Sequence, residues 1–163
     1  MHRYFERTLP TPSIKLIVLA GLGGLVAIAC LRFLTDSSHL ALIMAPFGAS
    51  CVLLFAVPAS PLSQPVNVVG GHLVASLVGL LLRLWLPDEW WTLAFAVGLA
   101  IAAMVALRVT HPPAGADPLV VFAADPGFVF LVFPVLSGSL LLVILACVFH
   151  RLSGQVYPQG ANR

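Results

Sequence analysis

The stretch Ala45-Pro46-Phe47-Gly48-Ala49-Ser50 returns 67 residues later as Pro112-Pro113-Ala114-Gly115-Ala116-Asp117, introduced by His111. At the same offset Phe55-Ala56 meet Phe122-Ala123, Leu53 and Leu54 meet Val120 and Val121, and Gly71 meets Gly138. Both stretches lie inside apolar segments, His39 to Val57 and His111 to Ala124. Proline has no N–H and clashes with the preceding turn, so neither segment is a plain continuous helix. A break inside an apolar segment exposes backbone polar groups, which are tolerated only where protein or a watery cavity satisfies them. The matched breaks predict an internal duplication: helix, broken segment, helix, written twice. The plainer alternative treats each break as a kink or packing point.

The flanking sequence says which solvent these segments meet. The chain has 163 residues, 60% hydrophobic and 9% charged, with a mean hydropathy of +1.05. A water-soluble globule carries roughly a quarter charged residues, because its surface must be solvated. This composition covers the inside of a bilayer instead. The lipid bilayer is therefore the first partner, and the expected class is an all-α integral membrane protein. Four stretches reach the roughly twenty apolar residues that a spanning helix needs: Ile14–Leu34, Val66–Leu86, Trp91–Val109 and Phe128–His150. Trp85, Trp90 and Trp91 flank a Pro87-Asp88-Glu89 turn, an aromatic belt at the membrane surface.

One membrane domain over 14–151 is expected, with repeat one at about 14–86 and repeat two at about 91–150. A cytoplasmic segment (1–13) and a C-terminal tail (152–163) flank it. The apolar run from Ile14 is too long for a signal peptide core, and reads as the first span. If the broken segments re-enter, there are four spans, and Arg83 joins Arg3, Arg7, Lys15, Arg151 and Arg163 on the inner side. If they cross, there are six spans as three-plus-three inverted repeats, and Arg108 replaces Arg83. The basic count is six against two either way, so the positive-inside rule does not choose. The 14 residues from His111 to Ala124 are short for a straight crossing, which favours re-entrant segments. The expected location is a bacterial inner (plasma) membrane with the N-terminus cytoplasmic.

Gly48-Ala49-Ser50 and Gly115-Ala116-Asp117 read as starts of short helices. The first N–H groups of a helix lack internal partners and carry partial positive charge. Two such starts facing one cavity suit a small anion. Asp117 complicates this, either as an N-cap or, in an apolar setting, as a proton carrier. His72 and His111 are ionisable residues at membrane depth and candidates to couple protons to solute movement; the bland reading makes them hydrogen-bonded structural residues. His39 and His150, at segment ends, are expected in the interface. Gln64 and Asn67, within Ser60-Pro61-Leu62-Ser63-Gln64-Pro65-Val66-Asn67, line a mouth, cap a helix or form an ordinary turn. Small residues at Gly71, Ala75 and Gly79, and at Gly98, Ala102 and Ala106, predict close helix contacts within or between subunits, and a homo-oligomer is expected. Cys30, Cys51 and Cys147 read as buried thiols.

The ordered motifs Ala45-Pro46-Phe47-Gly48-Ala49-Ser50, Ser60-Pro61-Leu62-Ser63-Gln64-Pro65-Val66-Asn67, Gly70-Gly71-His72 and His111-Pro112-Pro113-Ala114-Gly115-Ala116 resemble the HPP family of membrane proteins, over roughly Ile14 to Arg151. The resemblance implies four transmembrane helices. It also implies nitrite or a similar small anion as substrate, since plant plastid and cyanobacterial members are associated with nitrite transport. The regulatory CBS-type domain that some members carry is not expected within this sequence. Two departures stand out: Asp117-Pro118 where a Thr or other small residue often follows, and Val66 where a basic residue is common. Both make the expected site less positive.

The site expected from all of this comprises Pro46, Phe47, Gly48, Ala49, Ser50, Gln64, Asn67, His72, His111, Pro112, Pro113, Gly115, Ala116 and Asp117. It would serve a transporter or channel for a small inorganic anion. A cation or proton pathway through Asp117 and the histidines is the second reading, and a non-transporting scaffold or sensor the third. Scattered basic residues argue against nucleic acid as a partner. No nucleophile with a matched base, metal-ligand spacing or phosphate loop is readable, so neither an enzyme nor a cofactor is expected.

Overall fold

The computed structural model describes residue 7 and residues 10–159; Arg3 and Arg163 of the charge pattern lie outside the described residues. Every regular element among the described residues is helical. Helix α1 (Ile14–Ser38) starts where Ser13 Oγ accepts a hydrogen bond from the Leu16 N–H at 3.2 Å. Its buried stripe, Gly23, Ala27 and Leu31, recurs every fourth residue, while Ile14, Val18, Leu22 and Leu25 face outward. The glycine in that stripe is steric: a Cβ on Gly23 would collide with the Phe55 ring.

The first broken segment consists of an irregular stretch to Ala45, helix α2 (Pro46–Cys51) and a widened π-helical turn (Val52–Ala56). It runs back along α1 rather than returning to the end it left. The Leu42 N–H donates to Thr35 Oγ1 at 3.3 Å, Cys51 faces Gly24, Phe55 faces Gly23, and Ala56 and Val57 share a groove with Pro10, Ser13 and Ile17.

Helix α3 (Pro65–Trp85) then climbs, and α4 (Trp90–Ala106) descends beside it. The second broken segment is a tight 3-10 turn (Pro112–Ala116) followed by α5 (Asp117–Ala124). It runs parallel to α3: Asn67 Nδ2 donates to the Thr110 carbonyl at 2.9 Å, Gly79 faces Pro118 and Val121, and Arg83 meets Asp125 at 3.1 Å. The 17 residues of α3 from Asn67 to Arg83 span about 24 Å.

The last apolar stretch is a correction. Sequence predicts one helix over Phe128–His150, but a 3-10 turn (Phe128–Leu131) and an irregular turn at Phe133-Pro134 precede α6 (Ser137–Ser153). Phe133 sits at φ −129 and ψ 114, because the residue before a proline is pushed out of the helical region. Among the described residues, three stretches are long and apolar enough to cross a membrane: Ile14–Ser38, Pro65–Trp85 and Phe128–Ser153. The 17 residues of α4 are apolar but shorter, about 25 Å.

Two glycines bind the halves together. A Cβ on Gly71 would lie 2.6 Å from His111 Cβ and 2.9 Å from the Val109 carbonyl. A Cβ on Gly138 would strike the Leu42 carbonyl and the Phe47 ring. Gly138 is Gly71 plus 67, and Val109 is Leu42 plus 67, so each repeat lays its glycine on the same carbonyl of the other. Gly71, Ala75 and Gly79 thus pack within the chain. Gly98, Ala102 and Ala106 do not: they are exposed, and α4 packs instead through Thr92, Ala96, Ala100 and Met104.

A buried hydrogen-bonded chain at the meeting of the two breaks

Antiparallel passage of the first break along α1, and parallel passage of the second along α3, bring α2, α3 and residues 111–117 together. At their junction five polar side chains are fully buried: Ser50, His72, Ser76, His111 and Asp117. His72 Nδ1 lies 2.9 Å from Asp117 Oδ2 and 3.1 Å from Oδ1. Ser76 Oγ donates to the same Oδ2 at 3.0 Å. On its other side, His72 Nε2 lies 2.9 Å from Ser50 Oγ, and that oxygen lies 2.9 Å from His111 Nε2. His111 Nδ1 ends the chain by donating to the Leu62 carbonyl at 2.8 Å. Phe47 closes the site by setting its ring edge-on to His72, with centroids 5.1 Å apart.

Each partner is fixed by its element. Ser50 and Pro46 are one helical turn apart in α2; His72 and Ser76 are one turn apart in α3, so both face Asp117. Asp117 is the first residue of α5, but its carboxylate makes no capping bond and turns to α3 instead. A buried carboxylate finds a stronger partner in an imidazole than in its own helix amides. Asn67 likewise makes no cap; it ties α3 to Thr110. Gln64 anchors a turn, with Nε2 donating to the Pro58 and Ser60 carbonyls at 3.0 Å each and Oε1 accepting from the Gln159 N–H at 2.8 Å. His39 is exposed, whereas His150 is buried within the protein and donates from Nε2 to the Leu54 carbonyl at 2.8 Å.

The other expected residues lie beside this chain, not in it. A groove of about 780 Å³ runs between the breaks, lined by Ala45, Pro46, Ala49, Val52 and Leu53 and by the residue 67 positions after each. Pro112, Pro113 and Ala116 are three of those counterparts. Its walls are apolar carbon, and the buried chain runs behind Pro46, Ala49, Pro113 and Ala116. Gly48 faces a separate groove against α1, and Gly115 has open space at its Cα. The two glycine-bearing starts therefore do not converge on one cradle. The Gly48 N–H is already used, donating to the Ala45 carbonyl at 3.2 Å.

Sequence reasoning missed three members of the surroundings. Ser76 had a signal, its helical spacing from His72. The Leu62 carbonyl had none, being backbone. Tyr157, whose hydroxyl donates to the Ser63 carbonyl at 2.9 Å, brings the C-terminal segment onto the turn that holds His111. Among the described residues no three His, Cys, Asp or Glu side chains converge as metal ligands.

The connectivity of Ser50, His72 and Asp117 is that of a nucleophilic triad. Ser50, however, lies inside α2, where its amide serves the helix, and is closed off from any cavity.

Two transmembrane proteins of Dictyostelium discoideum are similar to this chain. One is 35% identical over 139 residues, covering 80% of this chain and 45% of its own length. The other is 32% identical over 144 residues, covering 83% and 50% respectively. The chain thus spans about half the length of these relatives. No solved structure matches it. The transmembrane region that defines the HPP family matches residues 9–158, nearly the whole sequence and both breaks. The chain belongs to the HPP family and is an integral membrane protein.

Proposed function

We propose that this chain is a transport protein that moves a small inorganic anion of the nitrite type across the membrane together with a proton. The observation that carries the reading is the continuous buried chain Asp117–His72–Ser50–His111, lying directly behind a groove between the two breaks. Ionisable residues held at membrane depth and paired with one another mark ion and proton pathways. The anion itself rests on the family resemblance. An apolar groove suits it in one form: a weak-acid anion that takes up one proton becomes a neutral molecule, which apolar walls admit without the cost of a buried charge. In this reading the site is also the middle of a three-plus-three inverted arrangement, because each broken segment runs the length of its neighbour. Arg7, Lys15, Arg108 and Arg151 then share the cytoplasmic side. The exposed Gly98, Ala102 and Ala106 face supplies a surface for a second subunit.

A proton pathway without anion is the second reading, favoured because the groove lining carries no cation and Asp117 stands beside it. Nitrite uptake into proteoliposomes, with and without a pH gradient, separates the two. Uptake above empty vesicles, accelerated by acid on the loading side and reduced at least tenfold in His111→Ala, is expected. A pH-driven current that ignores nitrite would select the proton pathway; silence in both would remove the transport reading.

A further inference from the structure

We infer that Ser50 is a two-position proton switch between His72 and His111, with its direction set by the Leu62 carbonyl. The argument needs only donors and acceptors. A carbonyl oxygen can only accept, so His111 Nδ1, at 2.8 Å from the Leu62 carbonyl, carries a proton. One site is left on that ring, Nε2, and Ser50 Oγ is its partner at 2.9 Å. The same oxygen is the partner of His72 Nε2 at 2.9 Å. A hydroxyl has one proton to give. If both Nε2 atoms were bare, one would be left without a donor in a fully buried site. If both were protonated, the hydroxyl would turn to the Pro46 carbonyl, at a long 3.4 Å. One Nε2 proton shared between two rings is the state that satisfies every partner.

Two arrangements meet that condition. In the first, His72 Nε2 holds the proton and donates to Ser50 Oγ, whose own proton points to His111. In the second, the serine proton has passed to His111 Nε2, the His72 proton has replaced it on Ser50, and the new hydroxyl points back to His72. One N–H and one O–H bond break and one of each forms, so protons and electrons balance. His72 Nδ1 keeps its own proton in both, donating it to the Asp117 carboxylate that also accepts from Ser76, and the total charge of the site does not change. What moves is the positive charge, from beside Asp117 to beside the Leu62 carbonyl. The groups facing the site are Ser50 from α2, His72 and Ser76 from α3, and His111 and Asp117 from the second break; Cys51, next in α2, faces α1 instead.

The switch deepens the transport reading and rests on it for the use made of the proton, but its test is independent of substrate. Nitrogen NMR of the imidazole rings, in protein reconstituted without nitrite, is compared for the native chain, Ser50→Ala and Ser50→Thr. In the native protein the two Nε2 signals should be complementary, the protonated fraction of one ring matching the bare fraction of the other, while His111 Nδ1 stays protonated. Ser50→Ala should uncouple the two rings and slow proton flux at least tenfold, and Ser50→Thr, which keeps the hydroxyl, should restore the complementarity. The unchanged His111 Nδ1 signal reports that the fold survives. Complementary signals persisting in Ser50→Ala would overturn the switch, as would a native His111 whose Nδ1 lacks the proton. Complementary signals in a protein that moves no nitrite would leave the switch standing and end the anion reading.

Discussion

Asp117 shows how much one side chain depends on another at zero exposure. Its carboxylate is out of water and held by His72 and Ser76 alone. Removing one member of such a pair leaves a buried group uncompensated, which costs about 3–5 kcal/mol. His72→Ala and Asp117→Ala should each lower the unfolding temperature in detergent sharply, while the double variant should lose far less than the two losses summed. Additive losses would mean that the two groups do not act as a pair. Ser50, His72, His111 and Asp117 were each legible as candidates, because polar residues stand out beside prolines and glycines in an apolar chain. Their connection was not legible. It depends on a carbonyl at Leu62 and on rings meeting across 22, 45 and 61 residues of sequence, which periodicity does not encode.

Elements were legible where composition is one-sided. Long apolar runs gave α1, α3 and α4 to within a few residues, and both breaks fall at the motifs that carry proline. The exceptions have local causes. Phe133-Pro134 interrupts the last stretch, since proline removes a helical donor inside an otherwise uniform apolar run. On α4 two stripes of small residues were available, and only packing decides between them; the buried one is Thr92, Ala96 and Ala100. The glycines give the sharpest test at this scale. Gly71→Ala and Gly138→Ala should each destabilise by about 1–3 kcal/mol, as overpacked sites do, because each new Cβ meets a carbonyl of the opposite repeat. Gly98→Ala, with open space around it, should be neutral in the same thermal melts. Equal tolerance at all three positions would contradict the exchanged contact.

Across the whole molecule, the chain path predicts sidedness. Ala59 follows the end of the first break, beside the N-terminal end of α1, and His39 sits at the opposite end of that helix. In intact cells or oriented vesicles, Ala59→Cys should be labelled by a membrane-impermeant thiol reagent from the same side as Arg7→Cys, and His39→Cys from the other. Labelling of Ala59→Cys and His39→Cys from one side would restore the re-entrant path. Counting basic residues does not choose between the two paths, since both give the same ratio, and the labelling pattern separates them directly.

The 67-residue correspondence also has a bearing on ancestry. Position for position, Asp117 answers to Ser50, His72 to Ser139 and His111 to Met44. A half-length gene whose product paired with its own copy would put the same residue on both sides of the axis: two acids or two alcohols. Once the halves differ, one side can keep the carboxylate while the other keeps the hydroxyl. The acid at one break, the alcohol at the other and the histidine between them are thus a product of divergence, which two identical halves would be unable to assemble.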